Sequence, residues 1–425
     1  QETTITKQTM SILYVSSNAN QLKVVEVDDV TGNLLRIVQT IEPIVDPLPT
    51  KPDGSPLPTK GMFVPVTEWV EKHPTLPLVY AFTSFWSDAV AIATTFRIVD
   101  PATGQLQKLG SVETGGHQAA HVMFSPDRSR MVVAHHNSGN ISFFNVTENA
   151  ALQAPVKIVE TPELRPETRT MSFPQCLPSL HAVSYGPSGK YLLTCDVSVQ
   201  GRIWTYAVDQ HGVPLSDEPT SKMKPTHVKP ITTLVGWTLK KTLGMPEYRV
   251  RRAVVHPNGK YVYLLMEMNN VLQVYEIDGK GKIAGDCLQE VPVIDAGFLT
   301  NSYWGKDSKW TGIAMNGAGE VYVTDTEILV SNRAMTTRLG QGENSIRIFS
   351  IEEGGAKLEP KQLLETAGPV RFFWKDPNCT KLYSGTNQSS PPQVIEKFVR
   401  DSTSGAFTKV GEASVEVDVM CVAPM

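Results

Sequence analysis

The chain has 425 residues, with 39 Lys and Arg against 43 Asp and Glu, for a formal net charge of −4. That balance offers no basic surface for a nucleic acid or an anionic lipid, so neither is an expected partner. No run approaches the roughly 18 apolar residues of a spanning helix, and the hydrophobic share of 41% is ample for a large core.

The five cysteines form no CxxC pair, which argues against a disulfide scaffold or a structural zinc site. Asn140, Asn145, Asn378 and Asn387 each open an Asn-X-Ser/Thr triplet, so cytoplasmic and secreted destinations are equally compatible.

Helical spacing is nearly absent, whereas short β-branched and aromatic runs recur throughout. They follow one phrase: an apolar run, a turn built on Pro with Gly, Asn or Asp, a second run, a polar break, then a third. Residues 13–15 open the series and a weak copy spans 63–99. Stronger copies follow at 121–144 and 181–206. The clearest spans 251–278, where His256, Pro257, Asn258 and Gly259 separate two runs and residues 271–277 form the third. Weaker copies cover 310–351 and 371–399. Pro presets φ for each turn, and three runs so joined make an antiparallel meander.

Second runs begin near Val79, Met131, Tyr191, Tyr261, Val321 and Leu382. Units of about 60 residues repeated seven times fill the chain, predicting an all-β, seven-bladed β-propeller as one domain over 1–425. The first unit lacks an inner strand. Residues 417–422 supply it, so the C-terminal strand joins the N-terminal blade and closes the ring. In the sixth unit, 321–324 and 328–331 compete for the second strand. Pro-rich segments at 44–60 and 162–178, with 214–240 and 295–309, read as rim loops.

Inner strands of a propeller surround a central channel. Counting six residues back from each turn proline gives Glu68, Ala120, His181, Arg251 and Arg371, with Thr311 assigned to the proline-less sixth unit. Such residues suggest a polar channel mouth. Hairpin geometry sets Arg251 opposite about Met266, with Glu267 nearby, and Asp196 or Val197 near His181. His121 lies one place from the ring, and His135 and His136 end the facing strand. A structural histidine or a stabilising salt bridge competes with each functional reading. His117, His135 and His136 lack the spacing of a metal site, and no helix follows Gly340 and Gly342 to make a phosphate loop.

The segments LHAVSYGPSGKYLLTCD, RRAVVHPNGKYVYLLMEMNN, and SNRAM followed by NSIRIFSI resemble the propeller lactonase family. That family contains 6-phosphogluconolactonases and fungal carboxy-cis,cis-muconate cyclases. The resemblance implies catalytic roles for His181, Arg251, Glu267 and Arg333. Departures are the large loops before the fourth and fifth inner strands and an extra Arg252 after Arg251.

The leading expectation is a muconate cyclase-like lactonising isomerase acting on a small unsaturated carboxylic acid. Arg251 and Arg333 would bind carboxylate, and His181 or Glu267 would transfer the proton. His121, Arg371 and Glu68 would contact substrate, with no metal or cofactor. Lactone hydrolysis needs similar groups and is the alternative. A non-catalytic scaffold is the third, although the Trp-Asp blade endings of such propellers do not recur.

Overall fold

The protein is described by a computed structural model covering residues 10–51, 53–57, 65–85, 89–161, 179–198, 201–225, 249–267, 269–295, 316–334, 343–387 and 393–425. Thr311, the loop 162–178, Gly340 and Gly342, and most of 214–240 and 295–309 lie outside the described residues.

Each repeated phrase folds as one sheet. Blade 2 comprises β4 (Val66–Lys72), β5 (Leu78–Ser84), β6 (Ile92–Asp100) and β7 (Gln105–Glu113). Blade 3 takes β8 (Ala119–Phe124) to β11 (Lys157–Glu160), and blade 4 takes β12 (Leu180–Tyr185) to β15 (Ser221–Met223). Blade 5 runs from β16 (Val250–Val255) and β17 (Tyr261–Met266) to β19 (Gln289–Pro292). Blade 6 has β20 (Asn316–Val323), β21 (Glu327–Ala334), β22 (Ser345–Glu352) and β23 (Lys357–Glu365). Blade 7 holds β24 (Val370–Lys375), β25 (Lys381–Thr386), β26 (Val394–Arg400) and β27 (Phe407–Ser414).

Blade 1 is β28 (Val419–Pro424), β1 (Met10–Ser17), β2 (Leu22–Asp28) and β3 (Leu34–Ile41), so the C-terminal strand is its innermost member. The innermost strands touch in the order β28, β4, β8, β12, β16, β20, β24 and back to β28. The ring is closed, leaving no innermost edge to pair with another chain. Second strands are buried on both faces, as in β17, whereas fourth strands such as β27 are mostly exposed. Apolar layers between blades form the core, with Trp204, Tyr263 and Phe349 fully enclosed.

The turn after each inner strand shows why the phrase is readable. Gly189 and Gly259 adopt φ of +67° and +73°, and their N–H groups close the turn onto Gly186 and His256 carbonyls. Arg128 and Cys379 take the same left-handed position in blades 3 and 7.

Blade 6 differs from the expectation built on proline. Its turn carries Thr324, Asp325 and Thr326, with the Thr324 hydroxyl accepting the N–H groups of Thr326 and Glu327. Val321 therefore belongs to the inner strand β20, and the second strand is β21, which contains Arg333. The residue six before Asp325 is Gly319, and it takes the ring position assigned to Thr311.

Candidate active site in the axial channel

Every innermost strand carries a bulge where the channel chemistry lies. In β16, Val250 pairs with Met266 and Arg252 with Leu265, leaving Arg251 without a partner across the strand. The same skip isolates Glu68, Ala120 and His181, and in blade 1 it isolates Met420. Blades 6 and 7 skip two residues, Gly319 with Glu320 and Arg371 with Phe372. A bulge kinks the strand and re-aims a side chain, so the ring counted from prolines is a ring of bulged residues. The bulge shifts the expected pairing by one: Met266 faces Val250, and the Glu267 N–H donates to the Arg249 carbonyl.

Glu267 is the hub on one side of the channel. Its Oε1 accepts Arg251 Nη1 at 2.8 Å and Arg333 Nη2, while Arg249 Nε lies 3.8 Å from Oε2. Arg251 also donates through Nε to the Gly319 carbonyl at 2.6 Å. A side chain at Gly319 would collide with the Val370 and Arg371 carbonyls, so glycine permits the close approach of blade 7. Burial alone would raise the Glu267 pKa, but Arg251, Arg249 and Arg333 overcome it and hold the carboxylate at about 2. Burial, then Arg333, disfavours the charge on Arg251, and Glu267 opposes them. Three guanidiniums share one carboxylate, leaving two positive charges in excess among these four groups.

His181 is buried beside this cluster, with its ring edge-on to His136 at a centroid distance of 5.8 Å. Its Nδ1 has no hydrogen-bond partner. Burial, then Arg251 and Arg252, pushes its pKa well below the usual imidazole value. A neutral imidazole results. Asp196, expected near His181, pairs in register with the adjacent Leu180, and its carboxylate accepts the N–H groups of Ser179 and Ser198.

Glu68 and Arg371 form a second group. Arg371 Nη2 reaches Glu68 Oε2 at 3.1 Å past Met420 of the intervening blade, and Gln118 Nε2 donates to Glu68 Oε1 at 3.0 Å. His121 is held elsewhere: its Nδ1 accepts the Val183 N–H at 3.2 Å, and its ring packs edge-on against Trp69. Burial, then Arg252 and Arg251, lowers its pKa well below the usual value. His135 pairs with the Thr114 hydroxyl at 2.9 Å. Asn140 is buried, with its amide donating to the Gly115 carbonyl, so that triplet cannot accept a glycan in the folded protein.

The sequence reading gave four residues of this region no role in the channel. Arg249 could have been found from alternation, since Arg249, Val250 and Arg251 put two arginines at like positions beside the strand start. Arg252 was visible only as an anomaly. Glu320 was hidden by the shifted blade 6, and His136 was read only as ending the facing strand.

A sequence-family profile described as "Lactonase, 7-bladed beta-propeller" matches residues 56–227 and 246–424. The 6-phosphogluconolactonase of Bacillus subtilis is 23% identical over 315 residues, covering 73% of this chain and 74% of the relative. Among solved structures, the periplasmic gluconolactonase of Pseudomonas aeruginosa superposes with a TM-score of 0.68 at 17% identity, covering 98% of this chain and 99% of the other. A Lactobacillus plantarum protein gives 0.68 at 16% identity, covering 98% and 100%. With its matched segments running through nearly the whole ring, the chain belongs to the seven-bladed β-propeller lactonase family.

Proposed function

We propose that the protein hydrolyses a small lactone bearing an anionic group, in the manner of a 6-phosphogluconolactonase. The observation that carries this reading is the excess of guanidinium charge around Glu267 next to a buried, neutral imidazole whose Nδ1 is unpaired. Buried arginines that outnumber their carboxylate favour an anionic ligand, and bidentate donors suit carboxylate or phosphate.

The roles follow from the protonation states. Glu267, held at about 2, has no proton to give near neutrality, so it fixes Arg251 and Arg333 rather than acting as acid or base. His181 takes a proton from water as the oxygen attacks the lactone carbonyl. Arg251 and Arg333 stabilise the oxyanion that develops. The imidazolium so formed sits against Arg251 and Arg252, which makes it a strong acid. It passes the proton to the departing ring oxygen, and the product is the open hydroxy acid. Arg371 with Glu68 lies on another arc of the ring, where it would contact the distal end of the substrate.

Cyclisation of an unsaturated diacid draws on the same four side chains. Lactone-opening relatives, named as 6-phosphogluconolactonase and gluconolactonase, favour hydrolysis. The test is a panel of sugar lactones, with and without phosphate, run beside unsaturated diacids and followed by acid release and ultraviolet absorbance. Turnover of the phosphorylated lactone is expected, and His181→Ala should lower it by about a hundredfold. Turnover of the diacids alone would reverse the direction of the reaction. Full activity in His181→Ala would remove the imidazole from the chemistry.

A further inference from the structure

A catalytic base is ordinarily oriented by a third group bonded to its far nitrogen. Among the described residues His181 has no such partner: Nδ1 is unpaired, and Asp196 is committed to the N–H groups of Ser179 and Ser198 and to the Ser198 hydroxyl. Its ring must therefore be aimed through its own backbone. At that point the backbone is a bulge, where Leu180 pairs with Asp196 and Ala182 with Cys195, so His181 stands outside the paired ladder.

Arg252 holds that bulge. It follows the bulged residue of the next blade, and its Nη1 donates to the His181 carbonyl at 3.0 Å. Its remaining donors grip Glu320 of blade 6 bidentately, Nε to Oε1 at 2.8 Å and Nη2 to Oε2 at 2.7 Å. Glu320 is itself anchored, since its N–H donates to the Ser331 hydroxyl and its Oε1 accepts the Val321 N–H. Trp69 of blade 2 lies against the guanidinium, 5.7 Å from ring centroid to Cζ, and His121 and Phe372 pack on that indole. Together with His181, these side chains link six of the seven blades.

We propose that Arg252 is a positioning residue, which fixes the His181 bulge through its carbonyl and is itself locked by Glu320 and Trp69. This rests on His181 as the base but assigns Arg252 no contact with substrate. Its charge is already matched by Glu320, unlike the charges around Glu267, so Arg252 is not part of the anion-binding excess. Burial, then Arg251, lowers the His181 pKa, and the charge of Arg252 adds to both.

The test compares Arg252→Lys with Arg252→Met/Glu320→Met. Lysine keeps the charge but cannot hold a carboxylate and a carbonyl in one fork. The double variant removes the pair together and avoids an orphaned buried charge. Both should lower kcat by about tenfold to a hundredfold with KM within about twofold, the signature of a misaimed base. In the double variant, the His181 ring resonance followed by NMR in labelled protein should move and titrate at higher pH. The lysine variant carries the test if the double variant does not fold. A KM rise with kcat unchanged would make Arg252 a substrate ligand and overturn the proposal. So would unchanged kcat with an unmoved His181 resonance. The NMR measurement needs no substrate, so loss of the base assignment, read from His181→Ala, is distinguishable from loss of the positioning role.

Discussion

Two carboxylates in this propeller are each ringed by cations, and their surroundings separate them. Glu327, at the start of β21, binds Arg400 and accepts Lys361 at 2.6 Å. Glu267 binds Arg251 and Arg333 with Arg249 close by. Both carboxylates are about equally hidden, but the cations are not: Arg400 and Lys361 are 18% and 41% exposed, against 4% and 8% for Arg251 and Arg333. Water screens the excess charge around Glu327, whereas the channel encloses that around Glu267. Charge excess is cheap on the outer face and costly at the axis. Under the proposed function, an anionic substrate would complete the charge at the axis.

The largest effect that could break this contrast is on stability. Glu267→Gln keeps the shape but leaves three guanidiniums crowded without a counterion, and should cost about 3–5 kcal/mol. Glu327→Gln leaves cations that water can solvate, and should cost about 1 kcal/mol. Urea unfolding of the two variants reads both numbers. Equal losses would show that the two clusters differ only in address.

Much of this was legible from the chain, and the reason is the turn. His181, Arg251, Arg371 and Glu68 were found because each stands six residues before a proline that fixes where its inner strand ends. The count failed in blade 6, where Asp325 occupies the proline's place and the Thr324 hydroxyl closes the turn. Thr311 was named in place of Gly319, and Glu320 went unseen with it. The bulges were not legible at all, because a skipped pair is a property of two strands and no residue type marks it. That is why Arg251 was set opposite Met266, which in fact pairs with Val250.

A smaller effect sharpens the contrast through pH. Burial lowers the pKa of His136 to about 4 and of His135 to about 3, and those of His121 and His181 fall well below the ordinary value of 6.5. These rings are neutral in the folded protein, so as pH falls through 6.5 the unfolded chain binds protons first and stability drops. Glu267 acts in a different window. Its contribution is complete above the ordinary carboxylate value of 4.5 and declines only as pH falls toward about 2. Between pH 6.5 and 4.5 these four buried histidines work against Glu71, whose pKa burial raises to about 7 and which stabilises the fold as pH falls. Their larger number sets the sign. Tm should be lower by about 5 °C or more at pH 5 than at pH 7, and His136→Gln should flatten the dependence. A Tm constant over that range would mean that these rings are solvated.

The finest discrimination comes from inorganic phosphate, which tests the excess charge without any turnover. A ligand that binds only the folded state stabilises it by RT ln(1 + [L]/Kd), about 1.4 kcal/mol at ten times Kd. For a chain this long that corresponds to a Tm higher by roughly 1–2 °C, small but resolvable by calorimetry. Around Glu267 the anion would replace the missing counter-charge, so Arg333→Ala should abolish the shift. Around Glu327 the cations are already screened, and Arg400→Ala should leave the shift intact. Increasing salt would weaken a purely surface effect at both places, whereas the enclosed channel is screened less and should retain most of its response. A shift lost equally in both variants would place the anion outside the channel and leave the guanidinium excess around Glu267 without a ligand to explain it.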